Sequence, residues 1–426
     1  MVENTVIYQL ALRTFTDEGT LKSATAHLDE LKELGIDIIY LTACFKTDKD
    51  DDRKTWSPRQ IDSGCNNPSN PYKMADYFSV DEEYGNNDDL HEFINRSHEL
   101  GLKVMLDLVY LHCGRNAVFL KEHPDYVIQN EDGTPKVGEE WPFARINYAN
   151  EKAREYLCEN GEFLVKEFKI DGFRCDVGDG VPLDFWREFA ERTRAINKNL
   201  IMLNEGTKED YLEVFDFDDG GIGCIFSRES LFNCLFSDDE NKKHLFFKYV
   251  NGVSGEKGRH INFIENHDIA TDNERAEKRY KEKMELMLFL LYVAPGIPFI
   301  WNGNEYADDG ENCMFSNREY GKRSAMNRGL AKTEKGKTRF DFVKKLNEIY
   351  HSHPVLANGK HNITEQNGAL FIDCENGEEK MTAVFNPIAA DVAFDGISGK
   401  PLISRSAKIK NGTVSLSPYG FAIFLS

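Results

Sequence analysis

The sequence predicts an α/β fold: a (β/α)8 barrel with a small insertion after the third strand and a C-terminal all-β sandwich domain. Three observations carry this expectation. Short β-branched runs alternate with helical stretches about eight times before His353, which is the rhythm of a parallel sheet, and eight units favour a closed barrel over a doubly wound sheet. The interval from Cys113 to Asn147 is too long for an ordinary strand-to-helix connection. After His353-Pro354 the helical period stops, and short strands separated by Gly/Asn turns take over. The barrel is therefore expected over 1–112 and 148–353, an inserted subdomain over 113–147, and the β-domain over 354–426.

The elements follow in order. "NTVIYQL" is the first strand; "SATAHLDELKELG" is a helix with Thr20 or Ser23 as its cap and Gly35 as its stop. "IDIIYLT" is the second strand, "NDDLHEFINRSHELG" a helix capped near Asn87 and ended by Gly101, and "LKVMLDLVY" the third strand. "NEKAREYLCENGEFLVKEF" is helical, "KIDGFRC" is the fourth strand, and "PLDFWREFAERTRAI" is a helix opening with Pro182, as Pro tends to at helix starts. "NLIMLNE" is the fifth strand, and "GIGCIF" is the place for a sixth. "KKHLFFKYVNG" is helical, "RHINFIEN" strand-like, "YKEKMELMLFLLYVAPG" helical, "IPFIWNG" the eighth strand and "KTRFDFVKKLNEIYHS" the last helix. "ALFIDCE", "MTAVFNP" and "GFAIFLS" belong to the terminal β-domain.

Composition narrows the partners. The balance of 52 basic against 72 acidic residues, formally −20, argues against nucleic acid and anionic membrane surfaces. No apolar run reaches membrane-spanning length, and the opening "MVENTVIYQLALRTF" has no basic n-region or apolar core, so no secretory leader is expected. The nine cysteines (44, 65, 113, 158, 175, 224, 234, 313 and 374) are odd in number, scattered and without a C-x-x-C. Reduced thiols of a cytoplasmic protein are expected, not a disulfide framework or zinc site.

In such barrels functional side chains sit at the carboxyl ends of strands. There the sequence puts Asp107 and His112 on the third strand, Arg174 and Asp176 on the fourth, Glu205 on the fifth, and Glu265-Asn266-His267-Asp268 on the seventh. Residues two apart in a strand share a face, so Arg174 stands beside Asp176, and a nearby cation holds a carboxyl ionised. Glu205 follows the apolar "LIMLN" with no adjacent cation; crowding by other acids would raise it, which suits a proton donor. Converging carboxyls without metal-ligand spacing suggest acid–base or nucleophilic work on a glycosidic bond.

The motifs "DLVYLH", "GFRCDVGDG", "NEG" after a strand, and "ENHD", in that order, resemble the signature regions of the α-amylase family of retaining glycoside hydrolases. "VIYQL", "NPYKMADYFSVDEEYG" and "APGIPFIWNGNE" are similar to that family too, so the likeness covers nearly the whole chain. The resemblance implies Asp176 as nucleophile, Glu205 as general acid/base and Asp268 as the acid that orients the sugar and stabilises the transition state. It further implies that Arg174 positions the nucleophile, that His112 and His267 bond sugar hydroxyls, that Tyr72 stacks on the sugar, and that Asp107 supports Arg174.

The chain also departs from the family. Leu111 stands where the family usually has an Asn that often binds calcium; an alkyl side chain cannot ligate a hard cation, so no metal or other cofactor is expected. Gly180 stands where many amylases carry His or Lys for the departing sugar. "ARIN" and "DVGDGVPLDFW" are similar to the neopullulanase/cyclomaltodextrinase branch, whose extra N-terminal domain is expected to be absent, and "RSAMN" is similar to oligosaccharide-cleaving members. The implied activity is hydrolysis of α-glucosidic bonds in small maltooligosaccharides, with a glucanotransferase or a non-catalytic sugar-binding protein as alternatives. Subgroup, linkage preference and oligomeric state stay open at this level.

Overall fold

The computed structural model of the chain describes residues 4–138, 141–219, 228–237, 239–252, 260–320, 324–397, 401–410 and 412–425. Eight parallel strands form the barrel: β1 Ile7–Leu10, β2 Ile38–Leu41, β3 Lys103–Leu108, β4 Gly172–Cys175, β5 Ile201–Asn204, β6 Phe217–Asp218, β7 Ile261–Asn262 and β8 Ile297–Trp301. They pair in the order β6-β5-β4-β3-β2-β1-β8-β7, and a parallel bridge between Asp218 and His260 joins the two outer strands. The lumen is filled by every second residue, among them Ile7, Ile38, Tyr40, Met105, Ile201, Leu203 and Phe299. The period of two then carries the lumen-facing phase upward, from Met105 to Asp107 and from Leu203 to Glu205.

The sequence places the sixth strand at 221–226, which lies outside the described residues; the structure puts β6 at Phe217–Asp218. Two residues are too short to show a period, so no sequence pattern marks this strand. The first expected helix is two: Leu21–Thr25, capped by a reciprocal Thr20–Ser23 box, and Leu28–Leu34, ended by Gly35 at φ +90°, a backbone conformation natural to glycine. The helix Met284–Val293 is buried at every position but Glu285, as a helix apolar on nearly all sides must be. It lies between barrel and terminal domain, where Phe289 stacks on Phe421 with centroids 4.3 Å apart.

Two excursions leave the top of the barrel. After β2, Phe45–Thr47 pairs with Met74–Val80, and the short helix Pro58–Asp62 lies between them. After β3, His112–Cys113 pairs with Ala144–Arg145. The C-terminal strands β9 Lys360–Gln366, β10 Ala369–Glu375, β11 Lys380–Phe385, β12 Val392–Asp395, β13 Pro401–Lys410 and β14 Thr413–Leu425 form one antiparallel sheet. β14 pairs β12 through its first half and β11 through its second, so the sheet folds over its own apolar face of Phe371, Val384, Phe394, Leu416 and Phe424.

Candidate active site

The parallel ladder sets the height of the charged residues. Asp107 is in register with Arg174, and Arg174 with Leu203. Past the strand ends, the Asp176 N–H donates to the Leu108 carbonyl at 2.8 Å and the Glu205 N–H to the Cys175 carbonyl at 3.1 Å. Asp176 and Glu205 thus leave neighbouring strands at one rim, both in the lumen-facing phase.

Arg174 joins them. Its Nη1 lies 2.9 Å from Asp107 Oδ1 and 2.8 Å from Asp176 Oδ1, and its Nη2 lies 2.7 Å from Glu205 Oε2. The sequence reading gave Glu205 no adjacent cation; the structure supplies one from the next strand, because the guanidinium has two ends. The Val177 N–H adds a hydrogen bond to the same Glu205 oxygen at 2.7 Å. Val177 holds φ +43° to do so, a strained backbone for a β-branched residue.

Burial changes the expected charges. It pushes Asp176 up to about 7, although Arg174 pulls the other way. The cation expected to hold Asp176 ionised is in place, and desolvation, which penalises the charged form, opposes it. Burial likewise pushes Glu205 up to about 8, with Arg174 opposing and Asp176 and Asp268 reinforcing. Asp268 goes the other way: burial pushes it up, but His267, Arg59 and Arg174 outweigh that and hold it below the usual range.

His267 and Asp268 open the helix His267–Asp272, capped by Asn266. The chain has left the strand, so these adjacent residues can both turn to the site. The Gln9 side-chain oxygen accepts from the His267 backbone N–H at 3.1 Å, and the Gln9 Nε2 lies 2.7 Å from His267 Nδ1. The first bond orients the amide, so the second must run from Gln9 to the ring, which places the ring proton on Nε2. Burial lowers the His267 pKa, in keeping with a neutral ring. Nε2 then donates toward Tyr72 Oη at 2.7 Å and Asp268 Oδ2 at 3.1 Å. The Tyr72 hydroxyl donates onward to Asp107 at 2.8 Å, where the Tyr40 hydroxyl also arrives at 2.6 Å.

Tyr72 stacks on His267, with ring centroids 5.4 Å apart. His112 Nε2 stands 3.9 Å from Asp176 Oδ2; burial lowers this ring to about 3, so it is neutral. Asp107, His112, Arg174, Asp176, Glu205, His267, Asp268 and Tyr72 therefore belong to one cluster, while Glu265 pairs instead with Arg275 at 3.1 Å; Asp176, Glu205 and Asp268 are each less than a tenth exposed. Sequence reasoning missed Gln9, Tyr40, Arg59 and Trp141. Arg59 contacts Asp268 with Nη1 at 2.6 Å and rests over the Trp141 ring. Gln9 carried a signal, a lone amide inside an apolar strand; Arg59, in an excursion without period, carried none.

Leu111 packs against the hydrophobic core, and its side chain offers no oxygen to a cation.

Known proteins match this architecture. Residues 6–136 and 140–349 match the model of the alpha amylase catalytic domain. A maltogenic alpha-amylase of Bacillus acidopullulyticus is 28% identical over 378 residues, 80% of this chain and 57% of that protein. A cyclomaltodextrinase of a Bacillus species is 26% identical over 370 residues, 80% of this chain and 60% of that protein. The chain thus spans well under two thirds of the length of these two relatives. The solved alpha-amylase of Lactobacillus plantarum superposes with a TM-score of 0.78 at 22% identity, over 99% of both chains, a likeness of fold.

Proposed function

The chain belongs to the alpha-amylase catalytic-domain family, and from that premise we propose that it is a retaining hydrolase of α-glucosidic bonds in maltooligosaccharides. The observation that carries this reading is the Arg174 guanidinium holding Asp176 at one end and Glu205 at the other. A retaining enzyme needs two carboxyls flanking one bond, and a shared guanidinium supports that spacing.

In the proposed reaction Asp176 attacks the anomeric carbon while Glu205, raised to about 8 and so protonated at neutral pH, gives its proton to the leaving oxygen. A glycosyl-enzyme ester forms. Glu205, now a carboxylate, takes a proton from water, and that water displaces Asp176. Asp268, held ionised, bonds sugar hydroxyls and offsets the positive charge that develops on the ring. His267 donates through Nε2, neutral His112 flanks Asp176, and Tyr72 supplies an aromatic face to the sugar.

The relatives named maltogenic alpha-amylase and cyclomaltodextrinase support short α-glucans as substrates. An intracellular location is part of the proposal. It is supported by the eight described cysteines, none of them in a disulfide and seven of them buried; no described helix is long and apolar enough to cross a membrane.

Turnover of 4-nitrophenyl α-maltoside, with Asp176→Ala beside the wild type, tests the reading. The first sugar product should have the α configuration by NMR, and Asp176→Ala should lose at least about a thousandfold in rate. A β-anomer as first product, or an Asp176→Ala variant with more than a tenth of the wild-type rate, defeats the mechanism. Longer products on adding an acceptor sugar would make the chain a glucanotransferase.

A further inference from the structure

Arg59 reaches Asp268 from outside the barrel strands. It sits on the helix Pro58–Asp62, which is pinned from both ends: Ser57 caps it by accepting from the Gln60 N–H, and the buried Gln60 side chain donates to the Asn67 carbonyl at 2.7 Å. From there Nη1 lies 2.6 Å from Asp268 Oδ1 and Nε 2.9 Å from Asp272 Oδ1, with Nη2 3.5 Å from the Asp268 carbonyl. The guanidinium leans over Trp141, from the excursion after β3, with Cζ 5.8 Å from the ring centroid.

The titratable and charged groups facing Asp268 are Arg174 and Asp176 from β4 and its end, Glu205 from the end of β5, His267 and Asp272 from its own helix, and Arg59. Arg174 has its nitrogens engaged by Asp107, Asp176 and Glu205, and His267 is neutral. Among the described residues, Arg59 is the arginine or lysine in direct contact with Asp268. Without it, a carboxyl that is 7% exposed would face two other acids with no cation at contact distance, and the burial that raises Asp176 and Glu205 even beside Arg174 would act on it with less to oppose it.

We propose that Arg59 is a positioning residue for Asp268: their ion pair holds this carboxylate charged and aimed at the sugar, while Asp176 attacks and Glu205 moves the proton. The inference rests on the glycosidase reading above and adds a residue to it. One guanidinium bridging Asp268 and Asp272 also explains why arginine serves here, since lysine brings a single point charge.

The test uses Arg59→Gln and Arg59→Lys on the full chain, each also in an Asp268→Asn background, with 4-nitrophenyl α-maltoside. Arg59→Gln should lower kcat at least about tenfold, the equivalent of one unit in a carboxyl pKa, with KM within about threefold, and Arg59→Lys should recover part of the loss. In the Asp268→Asn background Arg59→Gln should change little, since the group it acts through is gone. An equal loss in both backgrounds, or a kcat within twofold of wild type, overturns the proposal. Melting temperature provides a readout independent of turnover. Relative to wild type, Arg59→Gln should lose more at pH 8, where the orphaned Asp268 must carry charge, than at pH 5; an equal loss at both overturns it as well. A wild type without turnover would defeat the glycosidase reading, and the melting comparison would still decide the role of Arg59.

Discussion

Gln9 on β1 sets the protonation of His267 across the barrel: its side-chain oxygen takes the His267 backbone N–H at 3.1 Å, and its nitrogen lies 2.7 Å from Nδ1. Both residues are buried. Gln9→Leu leaves a backbone N–H and a ring nitrogen without partners, so it should cost about 1–3 kcal/mol of stability. In the wild type, 15N NMR should find the ring neutral at pH 7 with its proton on Nε2. In Gln9→Glu the ring should titrate at higher pH, because a carboxylate at Nδ1 favours the imidazolium.

The rate should peak near neutral pH. Asp176, at about 7, must lose its proton to attack, so the rate rises with pH through that value. Glu205, at about 8, must keep its proton to assist departure, so the rate falls beyond it. A plot of log kcat/KM against pH should be a narrow bell between these limbs. A flat optimum reaching down to pH 5 would show that Asp176 ionises as a free carboxyl does.

Glu205 should also cost stability in alkali. Its folded value of about 8 lies above the roughly 4.3 of an unfolded glutamate. Between those values the folded chain holds a proton that the unfolded chain has released, so stability falls as pH rises. Glu205→Gln removes this dependence. Its melting temperature relative to wild type should therefore climb from pH 4 to pH 8; a constant difference would contradict the burial argument.

Val177 stores backbone strain beside the nucleophile. A left-handed valine costs about 1–3 kcal/mol, whereas glycine adopts φ +43° freely and costs about 0.5–1 kcal/mol through the unfolded chain. Val177→Gly should thus match or exceed wild-type stability, by up to about 2 kcal/mol. Urea denaturation measures it, and a clear loss would assign Val177 a packing role despite its 40% exposure.

Exhaustive chelation should leave both rate and melting temperature unchanged, given Leu111 where an oxygen ligand would be needed. A loss restored by calcium would show that other oxygens bind it.

Much of the site was legible because the ladder makes it periodic. Once Arg174 and Asp176 are two apart on one strand, their common face follows, and Glu205 arrives at the same rim through the register of β4 with β5. What stayed hidden is tertiary. The reach of Arg174 to Glu205 depends on the separation of two strands, not on spacing within one. Burial, which lifts Asp176 above its ordinary range, is a property of the assembled rim. Arg59 is presented by a turn whose shape comes from Gln60 on Asn67 and Asn67 on Phe315, contacts that no local period announces. β6 escaped because two residues contain no alternation.

The eight strands are not tied equally. β1 meets β2 over four residues, whereas β6 and β7 are two residues each and meet, among the described residues, through the Asp218–His260 bridge and a side-chain contact between that same pair. Asp176 and Glu205 lie on one side of this seam, at the ends of β4 and β5, and Asp268 lies on the other, beyond β7. Any breathing of the barrel along its weakest join would move the third acid relative to the first two. Tightness of the cylinder and registry of the three carboxyls are then one mechanical quantity, and reinforcing the seam would stiffen the chemistry along with the fold.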